Sequence, residues 1–150
     1  MSRINNLQRC WVPPTTRAII GKQIIREYMY AYTAVCPENG ETFSLIMPYA
    51  NTESMNIFSA KFSEQYKNYR IILTMDRAGC HKSNDLELPL NIQPLLIPPH
   101  SPELDPIEHI WDYIREEFFN NHAFGSLIYV IDKLCNSLIH IHSIKEKVKI

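Results

Sequence analysis

The chain has 150 residues, 45% of them hydrophobic and 11% aromatic, which is one domain's worth and enough apolar material for a packed core; a disordered tail is excluded. Fifteen Lys plus Arg against sixteen Asp plus Glu leave a formal net charge of -1. No whole-protein basic field therefore announces a nucleic-acid or membrane partner, and any DNA contact must rest on local charge. The longest apolar runs, such as 71–73 and 95–97, fall far short of the roughly 18 residues of a membrane span.

Met1-Ser2-Arg3-Ile4-Asn5-Asn6 has no apolar signal-peptide core, so a cytoplasmic location is expected. Cys10, Cys36, Cys80 and Cys135 form no C-x-x-C pair, and in a reducing compartment they read as free thiols. The Tyr-rich run from Arg26 to Val35, the turn chemistry of Pro37-Glu38-Asn39-Gly40, and Thr42 to Met47 predict an antiparallel β-hairpin. Pro48 ends the second strand. Asn51 or Thr52 can then cap a helix whose apolar positions Met55, Phe58, Phe62 and Tyr66 share one face.

Tyr69 to Met75 reads as a short apolar strand, buried on both faces and central in a sheet, that ends at Asp76. Arg77 to Ser83 is a Gly-containing connection expected to open a short helix, and Leu95 to Ile97 predicts another strand. The order becomes β-β-α-β-α-β. Four prolines within 98–106 stiffen the next loop. A helix from Pro106 then aligns Ile107, Ile110, Trp111, Ile114 and Phe118, and a last helix from Ser126 aligns Leu127, Val130, Ile131, Leu134 and Leu138; both are expected to cover the sheet. The charged tail 145–150 is expected to fray.

Two carboxylates stand out. Asp76 sits where an apolar strand ends, the place where ligands collect in open α/β sheets, although an Asp there also serves as a turn or cap residue. Glu108 lies in the first turn of the helix behind the proline loop. It could share a divalent metal with Asp76, yet Asp105-Pro106-Ile107-Glu108 equally has the make-up of a capping box. His81 could orient a phosphate or stand as a surface histidine. Arg77, Lys82 and Arg115 could meet phosphates or simply be solvated. The six histidines show no zinc-type spacing.

Leu73-Thr74-Met75-Asp76-Arg77-Ala78-Gly79-Cys80-His81, with Pro98-Pro99-His100-Ser101-Pro102-Glu103-Leu104-Asp105-Pro106-Ile107-Glu108-His109-Ile110-Trp111, resembles the DDE transposases of the mariner superfamily, closest to their bacterial insertion-sequence branch. The resemblance implies a DNA transposition enzyme with an α/β, ribonuclease-H-like fold, a mixed sheet flanked by helices. In such a fold three carboxylates bind two Mg²⁺ or Mn²⁺ ions for strand cleavage and strand transfer at transposon ends. Asp76 and Glu108 would be the second and third acids, with Arg77, His81, Lys82 and Arg115 facing DNA. Water would attack a phosphodiester, and the freed 3′-hydroxyl would later attack target DNA, both by in-line displacement.

The family's first Asp belongs to a strand ahead of the hairpin, whereas Asp76 is the first aspartate of this chain and no carboxylate side chain precedes Glu27. Residues 1–150 are thus expected to form one N-terminally truncated catalytic domain that lacks its first strand, leaving an exposed sheet edge, marginal stability and incomplete catalysis. The alternative is an inactive fragment acting as an interaction or regulatory protein, pairing with a second copy or a full-length transposase. Asp112, one turn beyond Glu108, is the candidate for a substitute third acid.

Overall fold

The structure is a computed structural model and describes residues 11–16, 19, 24–76, 85–98 and 105–148. Strands β1 (Tyr30–Val35) and β2 (Thr42–Met47) form an antiparallel hairpin in which Tyr32 stands opposite Leu45 and Ala34 opposite Phe43. β1 begins four residues later than the Tyr-rich run predicts. Helix α1 (Thr52–Gln65) follows, then β3 (Ile71–Met75) and β4 (Ile92–Leu96), which pair in parallel. Helix α2 (Ile107–Ile114) widens into one π-helical turn (Arg115–Phe119), and α3 (Leu127–Ser143) and the short α4 (Lys145–Val148) complete the order. The short helix expected after Asp76 and most of the proline loop fall outside the described residues.

The hairpin owes its place to strand alternation. Successive side chains point to opposite faces, and both faces are packed. Ala31, Val35 and Ile46 meet a core of Ile110, Ile114, Phe119, Phe124, Val130, Leu134, Ile141 and Val148. Tyr32, Ala34, Phe43 and Leu45 meet a second core of Met55, Phe58 and Met75. The hairpin is therefore the middle layer between α1 on one side and α2 with α3 on the other.

Helix boundaries follow local chemistry. The Asn51 side chain accepts from the Ser54 N–H at 2.9 Å, and the predicted stripe is realised with Met55, Phe58 and Phe62 buried. Ser126 accepts from the Tyr129 N–H at 3.5 Å and starts α3. Asn91 ties three elements together: its carbonyl accepts from the Ile71 N–H at 2.8 Å, its side-chain oxygen lies 2.5 Å from the Ser63 hydroxyl, and its amide reaches the Tyr66 carbonyl at 3.3 Å. Pro94, opposite Leu73, sits inside β4, which fits a sheet edge because proline supplies no N–H to a ladder.

Two expectations are corrected. β3 is not buried on both faces: Leu73 packs on the α1 core, but Ile72 is 70% exposed, and among the described residues β3 pairs with β4 alone. A buried central strand needs a partner on each edge, and no described strand lies against its second one. The tail, in turn, does not fray over 145–148. It forms α4, places Val148 in the core at 4% exposure and pairs the Lys145 ammonium with Glu41 at 3.5 Å.

That contact reaches the hairpin turn. Gly40 has φ +68°, and a Cβ there would collide with the Lys145 backbone carbonyl. Next to it, the Thr42 hydroxyl lies 3.3 Å from His142 Nδ1. Left-handed backbone and missing space both require glycine. Gly40→Ala is expected to lower unfolding free energy by more than about 1 kcal/mol in urea melts, because strain and collision add.

Candidate functional site

Asp76 ends β3, and Ile97, just past β4, donates its N–H to the Met75 carbonyl at 2.8 Å, which fixes the strand end that carries Asp76. Glu108 stands one residue into α2. The two belong to one trough of about 460 Å³, walled by β1 on one side and by residues 72–75 of β3, Asp76 and the start of α2 on the other. Met55, Phe58, Asp105, Ile107 and Trp111 are also part of its lining. The structure thus brings together the two acids singled out in the sequence, at the carboxyl end of a parallel strand pair. Both are exposed, so neither carboxylate bears a large desolvation penalty.

The competing role of Glu108 as a capping residue is not the one the structure shows. The Ile107 N–H donates to the Asp105 carboxylate at 3.4 Å, and the Glu108 N–H donates to the Asp105 carbonyl at 3.2 Å. Asp105 therefore serves the helix start through its own side chain and carbonyl. The Glu108 carboxylate takes no hydrogen bond or ion pair among the described residues, and the assigned cap, Pro106, offers none.

Asp105 is a site residue that sequence pattern alone did not single out. Its cap-like position hid it, yet it lines the trough beside Glu108. The trial third acid, Asp112, does not line the trough; its carboxylate pairs with Arg115 at 2.5 Å. Arg115 itself is exposed on the π-helical turn. Arg77, His81 and Lys82 fall outside the described residues. Among the described residues no group of three or more His, Cys, Asp or Glu is placed to hold a metal ion. His140 lies 3.2 Å from the Tyr113 hydroxyl and stacks on its ring.

A second hollow of about 450 Å³ shares Ala34, Val35, Pro37, Ile72 and Leu73 with the trough and is also lined by Cys36, Tyr66, Arg70 and Ile71. Here burial, and after it the nearby Glu41 carboxylate, pushes the Tyr66 hydroxyl above its usual pKa, so it stays protonated and neutral.

Residues 1–131 match the family described as DDE superfamily endonuclease. The chain belongs to that family. It is also 32% identical over 109 residues to the uncharacterized protein y4pE/y4sA of Sinorhizobium fredii, an alignment that covers 72% of this chain and 81% of the relative. No solved structure matches the chain. Membership in the DDE superfamily endonucleases points to transposase-type DNA cleavage with divalent metals. The mixed α/β architecture of small sheets and helices is compatible with such a nuclease. No described helix is long and apolar enough to cross a membrane.

An exposed, unbonded Glu108 has a measurable signature. Glu108→Ala is expected to change unfolding free energy by less than about 0.5 kcal/mol in urea melts, as for an ordinary surface residue. Loss of a working cap would instead remove about 1 kcal/mol.

Proposed function

We propose that this DDE superfamily endonuclease is a ribonuclease-H-like catalytic domain, spanning residues 1–150, of a mariner-superfamily transposase from the insertion-sequence branch. Asp76 and Glu108 are its metal ligands and DNA its substrate. The observation that carries the reading is the convergence on one trough of these two carboxylates, 32 residues apart in sequence.

The donor chemistry fits the metal. Two carboxylates offer hard oxygen ligands, the kind Mg²⁺ and Mn²⁺ take while keeping several waters. When bound, a divalent cation neutralises phosphate charge and favours in-line displacement at a phosphodiester. The chain's own part is positional. The Ile97-to-Met75 hydrogen bond holds the end of β3, and Asp105 holds the first turn of α2, so both acids project from ordered backbone. Arg77, His81, Lys82 and Arg115 are the proposed contacts to transposon-end and target DNA. With a net charge of -1, affinity for duplex rests on such local cations.

A second reading, a catalytically inactive partner of a second copy or of a full-length transposase, is favoured by one observation: among the described residues no three of His, Cys, Asp or Glu are placed to hold a metal ion together. Calorimetric titration with Mn²⁺ and a nicking assay on supercoiled plasmid separate the two. For the enzyme, Mn²⁺ binds the unmodified chain, Asp76→Ala and Glu108→Ala each weaken it at least about tenfold, and nicking disappears with either substitution. For the inactive partner, binding follows the same pattern with no nicking by any of the three. Equal Mn²⁺ affinity in all three proteins would refute the assignment of the ligands.

A further inference from the structure

Tyrosines with exposed rings gather at one end of the trough. The chain has eight tyrosines, of which Tyr32, Tyr66, Tyr69 and Tyr113 each pack against another ring. Tyr28, Tyr30, Tyr49 and Tyr129 have no ring contact among the described residues, and they are 44%, 38%, 66% and 64% exposed.

Three of these four share one place. Tyr30 opens β1 and stands opposite Met47 of β2, Tyr28 precedes it by two residues, and Tyr49 follows Met47 by two. The Tyr32 hydroxyl donates to the Tyr49 carbonyl at 3.5 Å and ties this backbone to the hairpin. Tyr30 and Ala50, the neighbour of Tyr49, line the trough together with Asp76 and Glu108, and neither lines the second hollow. On its strand face Tyr30 follows Tyr32, whose ring packs on Phe58 at 5.7 Å, and it is the residue at which that face leaves the α1 core.

Charge at this end does not supply the ordinary means of holding DNA. Among the described residues that line the trough, the charged ones are Asp76, Asp105 and Glu108, with no Lys, Arg or His. These carboxylates repel phosphate. An aromatic ring has no such conflict, because every base has a π-face and stacks on it whatever the sequence. Inside a duplex both faces of a base are already stacked, so a base that uses such a ring is unpaired.

We propose that Tyr30, which lines the trough, and Tyr49, the most exposed of the three, form a stacking platform for an unpaired nucleobase of a DNA strand beside Asp76 and Glu108. The inference rests on the reading of DNA as substrate and not on the metal. Both tyrosines bind the strand through their rings and take no part in proton or phosphoryl transfer. Phenylalanine therefore replaces either of them, and an aliphatic side chain does not.

Fluorescence anisotropy with a labelled single strand of about eight nucleotides tests this, in EDTA and again with Ca²⁺. Tyr30→Leu and Tyr49→Leu are each expected to raise Kd at least about fivefold, the lower end of a lost base–aromatic stack. Tyr30→Phe, Tyr49→Phe and the control Tyr129→Leu, on α3, are expected to stay within about twofold. A blunt duplex of the same sequence is expected to bind every variant within about twofold of the unmodified chain, which also shows that the variants are folded. A strand carrying 5-iodouracil is expected to photocross-link to Tyr30 or Tyr49, a readout of ring–base contact that a purely structural role would not produce.

The proposal is overturned if single-strand affinity survives both Leu substitutions, if the Phe variants lose as much as the Leu variants, if duplex affinity falls equally, or if the cross-links lie elsewhere. In each of those outcomes the chain still binds DNA, and the reading of its substrate stands. No binding of either DNA form by the unmodified chain, with or without Ca²⁺, refutes the substrate and the platform together.

Discussion

The double burial of the β1–β2 hairpin is the constraint from which the rest of the molecule follows. Ala31, Val35 and Ile46 belong to one core and Tyr32, Ala34, Phe43 and Leu45 to the other. With a side-chain period of two, slipping one strand by a single residue would exchange its two sets and ruin both cores at once. The turn enforces the register: the Cys36 N–H donates to the Glu41 carbonyl at 2.8 Å, the Gly40 N–H returns to the Cys36 carbonyl at 2.9 Å, and the Asn39 side chain accepts from the Glu41 N–H at 2.9 Å. With the hairpin fixed, α1 has one place to lie and α2 with α3 another, and β1 turns an edge toward β3.

That arrangement explains why the two acids line one trough although their local surroundings differ. Asp76 reaches the trough from a strand held by α1 through Asn91, Ser63 and Met75, whereas Glu108 reaches it from a helix rooted in the opposite core through Ile110 and Ile114. The site therefore lies between two separately packed halves, and the hairpin is the common support of both.

Features written in short-range pattern were legible in the sequence. The helical stripes of α1, α2 and α3, the caps Asn51 and Ser126, the hairpin and the placement of Asp76 at a strand end all follow from spacing over a few residues. What was not legible depends on distant partners. The apolar run of β3 looks like a strand covered on both sides, yet whether a neighbour covers it is decided elsewhere in the chain. The charged composition of 145–148 concealed Val148, whose burial comes from a core that reaches back as far as Ile110. Asp105 looked like a cap because it is one, and only the folded arrangement shows that a capping residue also borders the trough. The π-helical turn had no signal in the pattern, although it lets the consecutive Phe118 and Phe119 both pack inward, one against Tyr113 and His140 and the other against Phe124.

The seating of Gly40 on the Lys145 carbonyl, with the Glu41–Lys145 and Thr42–His142 contacts beside it, also sets a timetable for synthesis. A ribosome makes the hairpin turn about a hundred residues before the residues that back it, so the nascent hairpin emerges with one face bare. Its early stability must come from α1, which follows it directly and covers the other face. The α2–α3 layer docks only once residues 142–148 have left the exit tunnel. Folding is thus vectorial for one half of the hairpin's contacts and postponed for the other, and in that interval a chaperone that shields apolar surface has a defined target in Ala31, Val35 and Ile46.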